Sequence, residues 1–395
     1  MPHTESEIAE KAATLPNTLI GATADASLDT RDIGLILTKE DIKSLKKYEL
    51  AGLALPVELK DVITYLGYET GAGNRLEAAD FQETFKLIHT HAGLWNPLRT
   101  DLMTVNDKLV GFAVSMQVYG GSINVVLDDV RALNLIDEHK IETVEDLRKV
   151  EMELGMKFPG IDPVDRKDIG DYLDDILKKV REQQADARQI KERLDAFGKE
   201  LAGSVKPAID LKIRGIANNT LGAEIEALQT AIDNRSMAIE EKSKEYDKLV
   251  REAIKSVVSG GLIMVIYSSV EAEKVRKARN ALREQQEAAI GLMETKNTIL
   301  ASLNRVRNDL QNLDIIVLDA DTATKNLITV WNGLNTFLSQ SVEEISGIED
   351  GLSMRRFRNQ ISLVFRPWKN IEADATKLRD VFAEADREFK QEYGN

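Results

Sequence analysis

Two histidines separated by one residue come closest to a metal-binding motif in this sequence. His89 and His91 flank Thr90 in a segment that is expected to be helical. Side chains two positions apart on a helix point about 200° away from each other, so both imidazoles cannot easily hold one ion. No third ligand is indicated nearby. A metal site is therefore a weak interpretation of these two histidines.

Two further patterns resemble ligand-binding loops only in part. Asp319-Ala320-Asp321 begins like a calcium loop, but Ala323 and Val330 occupy the fifth and twelfth positions, where the loop needs oxygen ligands. Gly71-Ala72-Gly73 lacks the third glycine and the preceding strand of a dinucleotide-binding turn. Neither pattern predicts a binding site.

The remaining candidates for chemistry are also weak. The adjacent carboxylates Asp128-Asp129 and Asp174-Asp175 diverge on a helix, so they fit solvated faces better than an acid–base pair. The chain has no cysteine, which excludes disulfides and cysteine-ligated zinc or iron–sulfur centres. We therefore expect no catalytic residue, no cofactor and no metal, and hence a protein that is not an enzyme.

Composition points to a folded helical protein. The 395 residues include 52 Lys and Arg against 66 Asp and Glu, and the resulting charge of −14 disfavours binding to nucleic acid. Hydrophobic residues make up 43% of the chain, which argues against intrinsic disorder. Between Asp165 and Arg366 the only proline is Pro207, a scarcity that favours long helices over a β-rich domain. The predicted class is all-α.

The N-terminus lacks the features of a cleavable Sec signal. Glu5, Glu7, Glu10 and Lys11 precede any apolar run, so export, if it occurs, is expected to use another route. We also expect no stretch of about 20 apolar residues, the length that a lone membrane helix needs.

Several local patterns predict where helices begin and end. Thr38 is expected to cap a helix, with Glu40 and Asp41 in its first turn. Pro56 suits the first position of a short helix that ends near Leu66. Another short helix is predicted from Thr143 to Leu154.

Three series of positions spaced alternately by four and three residues predict long helices with packing seams. They run from Ile169 to Leu201, from Leu221 to Ala253 and from Val275 to Val317, with a break expected around Gly203, Pro207 and Gly215. As single helices, 216–255 and 271–318 would be about 60 and 70 Å long. Because only 15 residues join them, they are predicted to pair as an antiparallel coiled-coil stalk. The two faces can bury each other within one chain, so the isolated protein is expected to be a long monomer.

The segment between these helices, 256–270, carries no charge and is the most apolar stretch identified. Its predicted membrane-contact residues are Val257, Val258, Leu262, Ile263, Met264, Val265, Ile266, Tyr267 and Val270. Residues 242–255 and 271–283 together hold ten basic and five acidic residues, a local charge of +5 in an acidic chain. Long basic side chains beside an apolar patch suit anionic lipid head groups. The predicted head-group residues are Lys255, Lys274, Arg276 and Lys277.

Three alternatives stay open for the apolar segment. It could fold back on the stalk, pack in a dimer, or bind a partner protein. The predicted domains are a loose lead-in (1–37), a tail bundle built from 38–205 and 319–395, and a neck (206–318) that carries the apolar head at 256–270.

Short segments in a characteristic order and spacing support a family resemblance over residues 37–395. They are Leu37-Thr38-Lys39-Glu40-Asp41-Ile42, Leu53-Ala54-Leu55-Pro56, Tyr65-Leu66-Gly67-Tyr68, Ile88-His89-Thr90-His91 with Trp95-Asn96, Glu271-Ala272-Glu273-Lys274-Val275-Arg276-Lys277 with Asn280-Ala281-Leu282, Pro367-Trp368, and Glu392-Tyr393-Gly394. Together they resemble the A components of α-xenorhabdolysin-type binary toxins.

That resemblance implies an all-helical, cytolysin A-like fold and a two-component pore-forming toxin. The A subunit is expected to bind the target-cell membrane and to assemble with a B subunit, which spans the bilayer, into a hetero-oligomeric pore. The principal alternative is a non-lytic coiled-coil scaffold or tether whose apolar loop binds a protein. A second alternative is an enzyme that uses the histidine region.

Overall fold

The computed structural model describes residues 5–24, 33–70, 72–73, 75–217, 222–256 and 270–394. Within these ranges all regular secondary structure is helical and no strand occurs. The predicted all-α class is confirmed. The membrane-contact residues predicted between Val257 and Tyr267 lie outside the described residues.

The helices of the described ranges follow one another along the chain. They are α1 (Glu5–Thr23), α2 (Lys39–Leu53), α3 (Leu59–Leu66), α4 (Ala78–Gly93), α5 (Trp95–Asp129), α6 (Arg131–Glu138), α7 (Val144–Leu154), α8 (Pro163–Glu200), a π turn (Leu201–Val205), α9 (Lys206–Ala217), α10 (Ala223–Ser256), α11 (Val270–Glu294), α12 (Thr298–Gly347), α13 (Gly351–Phe365) and α14 (Trp368–Tyr393).

The chain forms two compact units. The first comprises Met1–Ala24, Thr104–Arg188 and Asn326–Arg379, and the second comprises Asp25–Met103, Gln189–Lys325 and Asp380–Asn395. Four of the boundaries fall within α5, α8, α12 and α14. The division into lead-in, tail bundle and neck stays a prediction.

Aromatic packing organises the core of the first unit. The ring of Phe112 on α5 meets Trp331 and Trp368 edge-on, with centroids 5.0 and 4.9 Å apart. Such pairs add to the free energy gained by burying the rings. A Cβ atom at Gly120 would lie 2.5 Å from the Phe365 ring, so the glycine allows α5 and α13 to pack closely. One side of α5 therefore packs in the core of the first unit.

The first predicted seam is confirmed in full, because each of its ten positions from Ile169 to Leu201 is buried. The predicted break after it is wrong. The chain passes instead through one π turn into α9 and stays helical to Ala217. The wider turn lies just before Pro207, which has no backbone N–H to donate to a regular helix.

Two predicted helix starts are confirmed and one is wrong. Thr38 and Thr143 each form a capping box, in which the hydroxyl accepts from the backbone N–H of Asp41 or Asp146. The helix predicted to begin at Pro56 begins at Leu59 instead.

The predicted single helix over 271–318 is also wrong. Helix α11 ends at Glu294, and α12 begins at Thr298 after a tight turn. The side chain of Asn297 accepts from the N–H of Leu300 at 3.0 Å and so caps α12. Arg279 and Arg283 on α11 reach Asn312 and Asn308 on α12, in reverse order along the chain. The two helices therefore pack antiparallel.

Helix α10 packs against both of them. Ser243 and Ser236 on α10 bond to Arg279 and Gln286 on α11, again in reverse order, so the predicted antiparallel pairing of these two helices is confirmed. The second and third predicted seams thus belong to a group of three helices rather than to a two-helix stalk.

On α11, Val275 and Ala289 are buried as predicted, but at three other seam positions the buried residue is the next one along the chain. Ala278, Gln285 and Leu292 were expected inside but are exposed. The neighbouring Arg279, Gln286 and Met293 are buried instead. Contact with two helices turns α11 away from the face that a simple pair would use.

Candidate functional site

The hairpin of α10 and α11 places the predicted site residues. Because the two helices are antiparallel, Ser256 and Val270 lie at the same end, where the uncharged segment joins them. Val270, the first residue of α11, is about half exposed. Lys255 belongs to α10, but its side chain lies outside the described residues.

The three basic residues predicted on α11 have different surroundings. Lys274 and Lys277 are exposed, and the Lys277 ammonium lies 3.9 Å from the Glu273 carboxylate. Arg276 is partly buried, and its Nε donates to Glu273 at 2.8 Å. Burial alone would lower the pKa of Arg276, but the carboxylates of Asp41 and Glu273 outweigh it and raise that pKa. Much of the Arg276 charge is therefore balanced within the protein.

A buried arginine lies near these residues, and the sequence did not indicate it. Arg279 is 1% exposed and donates to the Ser243 hydroxyl at 2.9 Å, the Asn312 side chain at 3.1 Å and the Gln311 carbonyl at 2.5 Å. None of these acceptors carries a charge. Burial, together with the neighbouring Arg283 and Arg276, lowers the pKa of Arg279 to about 9.

A more deeply buried carboxylate lies beside Arg283. Asp309 on α12 is 4% exposed, and its Oδ1 lies 3.8 Å from a guanidinium nitrogen of Arg283. Burial raises the pKa of Asp309 to about 6, although Lys47 and Arg283 oppose the shift. This separation is too long for a hydrogen bond, so the ion pair offsets only part of the free-energy cost of burying the charged carboxylate.

Side-chain amides continue this polar packing toward the start of α10. Gln229 and Asn304 bond to each other at 2.8 Å, and the amide of Gln286 donates to Ser236 at 3.0 Å. A polar interface of this kind needs every partner in place, and it gains less from burial than an apolar one. The α10–α11 hairpin is therefore held on α12 partly by polar contacts. Asn304, Asn308, Gln311 and Asn312 recur at helical spacing, a signal that could have revealed this interface.

The histidine region takes part in core packing. His91 is fully buried; its Nε2 donates to the Phe197 carbonyl at 3.0 Å, which leaves Nδ1 to accept from the Tyr48 hydroxyl at 2.7 Å. Burial lowers the pKa of His91, which favours this neutral form. Among the described residues, no group of three or more histidine or acidic side chains is placed to hold a metal ion.

One helical stretch passes a test for membrane crossing by length and composition. It lies within 78–129, and 33% of its most apolar window is buried. The expectation concerned a run of about 20 apolar residues, whereas this helix reaches its hydropathy with small and uncharged polar residues among the apolar ones. A core helix passes the same test, so the result alone does not assign a membrane segment.

No family model and no curated protein matches the sequence. Among solved structures, XaxA from Xenorhabdus nematophila is 23% identical over 91% of this chain and 99% of its own, with a TM-score of 0.47. The XaxAB pore complex from the same organism is 25% identical over 90% of this chain and 100% of its own, with a TM-score of 0.46. The resemblance noted in the sequence is confirmed as a similarity to α-xenorhabdolysin components.

The fold itself is established by a different structure. SmhA, from the tripartite α-pore-forming toxin of Serratia marcescens, has a TM-score of 0.55 and covers 95% of each chain at 12% identity. At that identity the similarity shows the fold alone. This chain therefore has the fold of the α-helical pore-forming toxin components.

Proposed function

We propose that this chain is the A subunit of a two-component α-helical pore-forming toxin. It binds the target membrane through residues 256–270 and assembles with a B subunit into a lytic pore. The observation that carries the proposal is an uncharged, strongly apolar sequence segment that connects the two helices of an antiparallel pair, in a chain with this fold.

The length of the segment supports attachment to the membrane surface rather than a span. Fifteen residues would extend about 22 Å as a helix, less than the ~30 Å hydrocarbon core of a bilayer. A segment of this size can still bury its apolar side chains at the interface, where Lys274 and Lys277 would meet anionic head groups. The B subunit would then supply the spanning element.

The partner and the location are parts of the same proposal. The sequence resembles A components of binary toxins, and the XaxAB complex is a pore. We infer a hetero-oligomer with a B subunit at the target-cell membrane, after export without a cleavable Sec signal. In this proposal the tail bundle consists of residues 38–205 and 319–395, and the neck of residues 206–318. Pore formation of this kind needs neither catalysis nor a cofactor.

Release of a dye from liposomes tests the proposal directly. The chain and its B subunit together should release the dye, and neither should do so efficiently alone. A scaffold or tether would bind its partner without releasing dye. That result would contradict the lytic function.

Reversing Lys274 and Lys277 to Glu should weaken binding to anionic liposomes by roughly fivefold or more per residue, since each basic residue near the surface contributes ~1 kcal/mol. Added salt should weaken the parent protein in the same direction, because exposed charges are screened. Co-sedimentation with anionic and neutral liposomes measures both effects.

The control reverses Lys167 and Lys178 on α8, which are 71% and 69% exposed. It makes the same change in net charge on a different helix. Equal loss in both variants would favour a general charge effect over contact between these two lysines and the membrane.

The isolated chain should be a monomer with a mass near 44.0 kDa by light scattering. Helices α10, α11 and α12 already bury one another within one chain, so folding needs no second copy. A dimer that persists on dilution would favour a homodimeric scaffold instead.

A further inference from the structure

Helix α5 contains a long uncharged stretch that the proposed function does not use. From Leu109 to Leu127 there are 19 residues without a charge, between Lys108 and Asp128. One side of this stretch, which includes Phe112, is buried in the core of the first unit. The opposite side faces solvent, although surface positions of a helix are ordinarily polar or charged.

The exposed side forms a continuous apolar face. Val114, Val118 and Val125 are 41%, 60% and 62% exposed. Gly111, just before Val114, and Gly121, between Val118 and Val125, are also exposed. Steps of three and four residues place all five along one line, about 21 Å long. We call these five residues the α5 face.

The glycines of the α5 face have no role in packing within the described structure. A Cβ atom at Gly111 or Gly121 would meet nothing within 4 Å, and both residues lie inside a helix, where glycine is unfavourable. Glycines between exposed valines suit the close approach of a second helix, whose side chains would fill the gaps. The pattern thus favours a helix as occupant.

Charge at one end of the α5 face indicates the chemistry of that helix. Asp128 and Asp129 lie three and four residues beyond Val125, the last residue of the face. Burial raises the pKa of Asp165 at the start of α8, and the carboxylates of Asp162, Asp168 and Asp129 add to the shift, so negative charge is concentrated here.

Two cations at the start of α8 have other partners. Arg166 donates to the carbonyls of Ser346 and Ile348, and Lys167 pairs with Asp171. A complementary helix would therefore be basic at the end that approaches Asp128 and Asp129.

We propose that the α5 face binds one helix of the B subunit, uncharged over about 20 Å and basic at the end beside Asp128 and Asp129. This inference rests on the proposed function, because it assigns the surface of this chain that the B subunit contacts in the pore. A lipid surface fits less well. The acidic end repels anionic lipid, and valine and glycine lack the aromatic and basic side chains of interfacial helices.

Gly111→Leu and Gly121→Leu test the inference. Both variants should fold, with a melting temperature equal to or above that of the parent, because the space is open and leucine favours a helix. Each should weaken the complex with purified B subunit at least tenfold in analytical ultracentrifugation. Gly291→Leu, at an exposed helical position on α11 with equally open space, is the matched control and should bind normally.

A second measurement distinguishes a partner from a membrane. Since the chain has no cysteine, Val118→Cys accepts a single environment-sensitive dye. Its emission should shift to the blue when the B subunit is added in solution and should stay unchanged with liposomes alone. A shift with liposomes alone, or normal binding by both glycine variants, would overturn the inference.

The outcomes also separate this inference from the proposed function. Normal binding and lysis by the glycine variants would contradict binding of the B subunit at the α5 face and would leave the proposed toxin function supported. A complex of the parent chain that forms without lysis, and that the glycine variants fail to form, would support the docking face and contradict the toxin. Failure of the parent chain to bind the B subunit would overturn both.

Discussion

A chain carrying Ile263→Asp or Ile266→Asp should fold normally and lose both membrane attachment and lysis. Burying a large apolar side chain is favourable by ~1.5–3 kcal/mol, and an aspartate in its place adds the cost of removing a charge from water. The combined change should lower liposome binding by roughly 100-fold or more. Co-sedimentation with liposomes and dye release in the presence of the B subunit measure the two losses.

The control for this prediction lies on the same hairpin. Leu292→Asp changes an apolar side chain that is 61% exposed, about 33 Å along α11 from Val270. It should retain both activities. If Ile263→Asp stays folded, as judged by circular dichroism and melting, and binds liposomes as the parent does, the segment has no role in membrane attachment.

Long packing seams made much of the fold predictable from the sequence. The series from Ile169 to Leu201 follows one face of α8 into the π turn over about nine turns. All ten of its positions are buried. Helix starts were predictable where a side chain acts locally, as Thr38 and Thr143 do in their capping boxes.

The turn between α11 and α12 was not predictable from the same pattern. The third series passes through Lys296 without a change of spacing, as a continuous helix would. The local sign of a helix start is Asn297, whose side chain caps α12, but an asparagine can also lie within a helix. Packing of α11 against two helices then decided which side of it is buried.

The candidate site was predictable only in part, for a similar reason. The apolar segment at 256–270 stands out because a run of 15 residues without charge is visible in composition alone. Arg279 and Asp309 fall outside the predicted seam and look like surface residues until α10, α11 and α12 are brought together. Their pKa shifts arise from burial, which no local pattern reveals.

Replacing Asp309 by Asn should stabilise the second unit, and the gain should depend on pH. In the folded protein burial raises the pKa of Asp309 from 3.8 to about 6. The nearby carboxylate of Glu287 raises this pKa further, whereas the positive charges of Lys47, Arg283 and Arg305 oppose the shift. Between these two pH values the folded state binds more protons than the unfolded state, so stability from this group falls as pH rises.

The free-energy cost of burying the charged carboxylate is complete above about pH 6, where Asp309 is charged in both the folded and the unfolded state. This cost is absent below about pH 4, where Asp309 is protonated in both states. An asparagine at this position never carries the charge. A shift of this size corresponds to about 2–3 kcal/mol, so Asp309→Asn should raise the free energy of unfolding by that order at pH 7.5 and by much less at pH 4.5. Urea denaturation at the two pH values measures the difference.

Asp314→Asn is the matched control for the buried carboxylate. Asp314 lies on the same helix, is about one-third exposed and pairs with Lys206 at 2.5 Å. Its replacement removes a favourable ion pair, so it should leave stability unchanged or slightly reduced at pH 7.5. An equal gain for Asp309→Asn at both pH values would place its effect in packing rather than in the buried charge. No gain at pH 7.5 would mean that Arg283 and Lys47 already compensate the carboxylate in full.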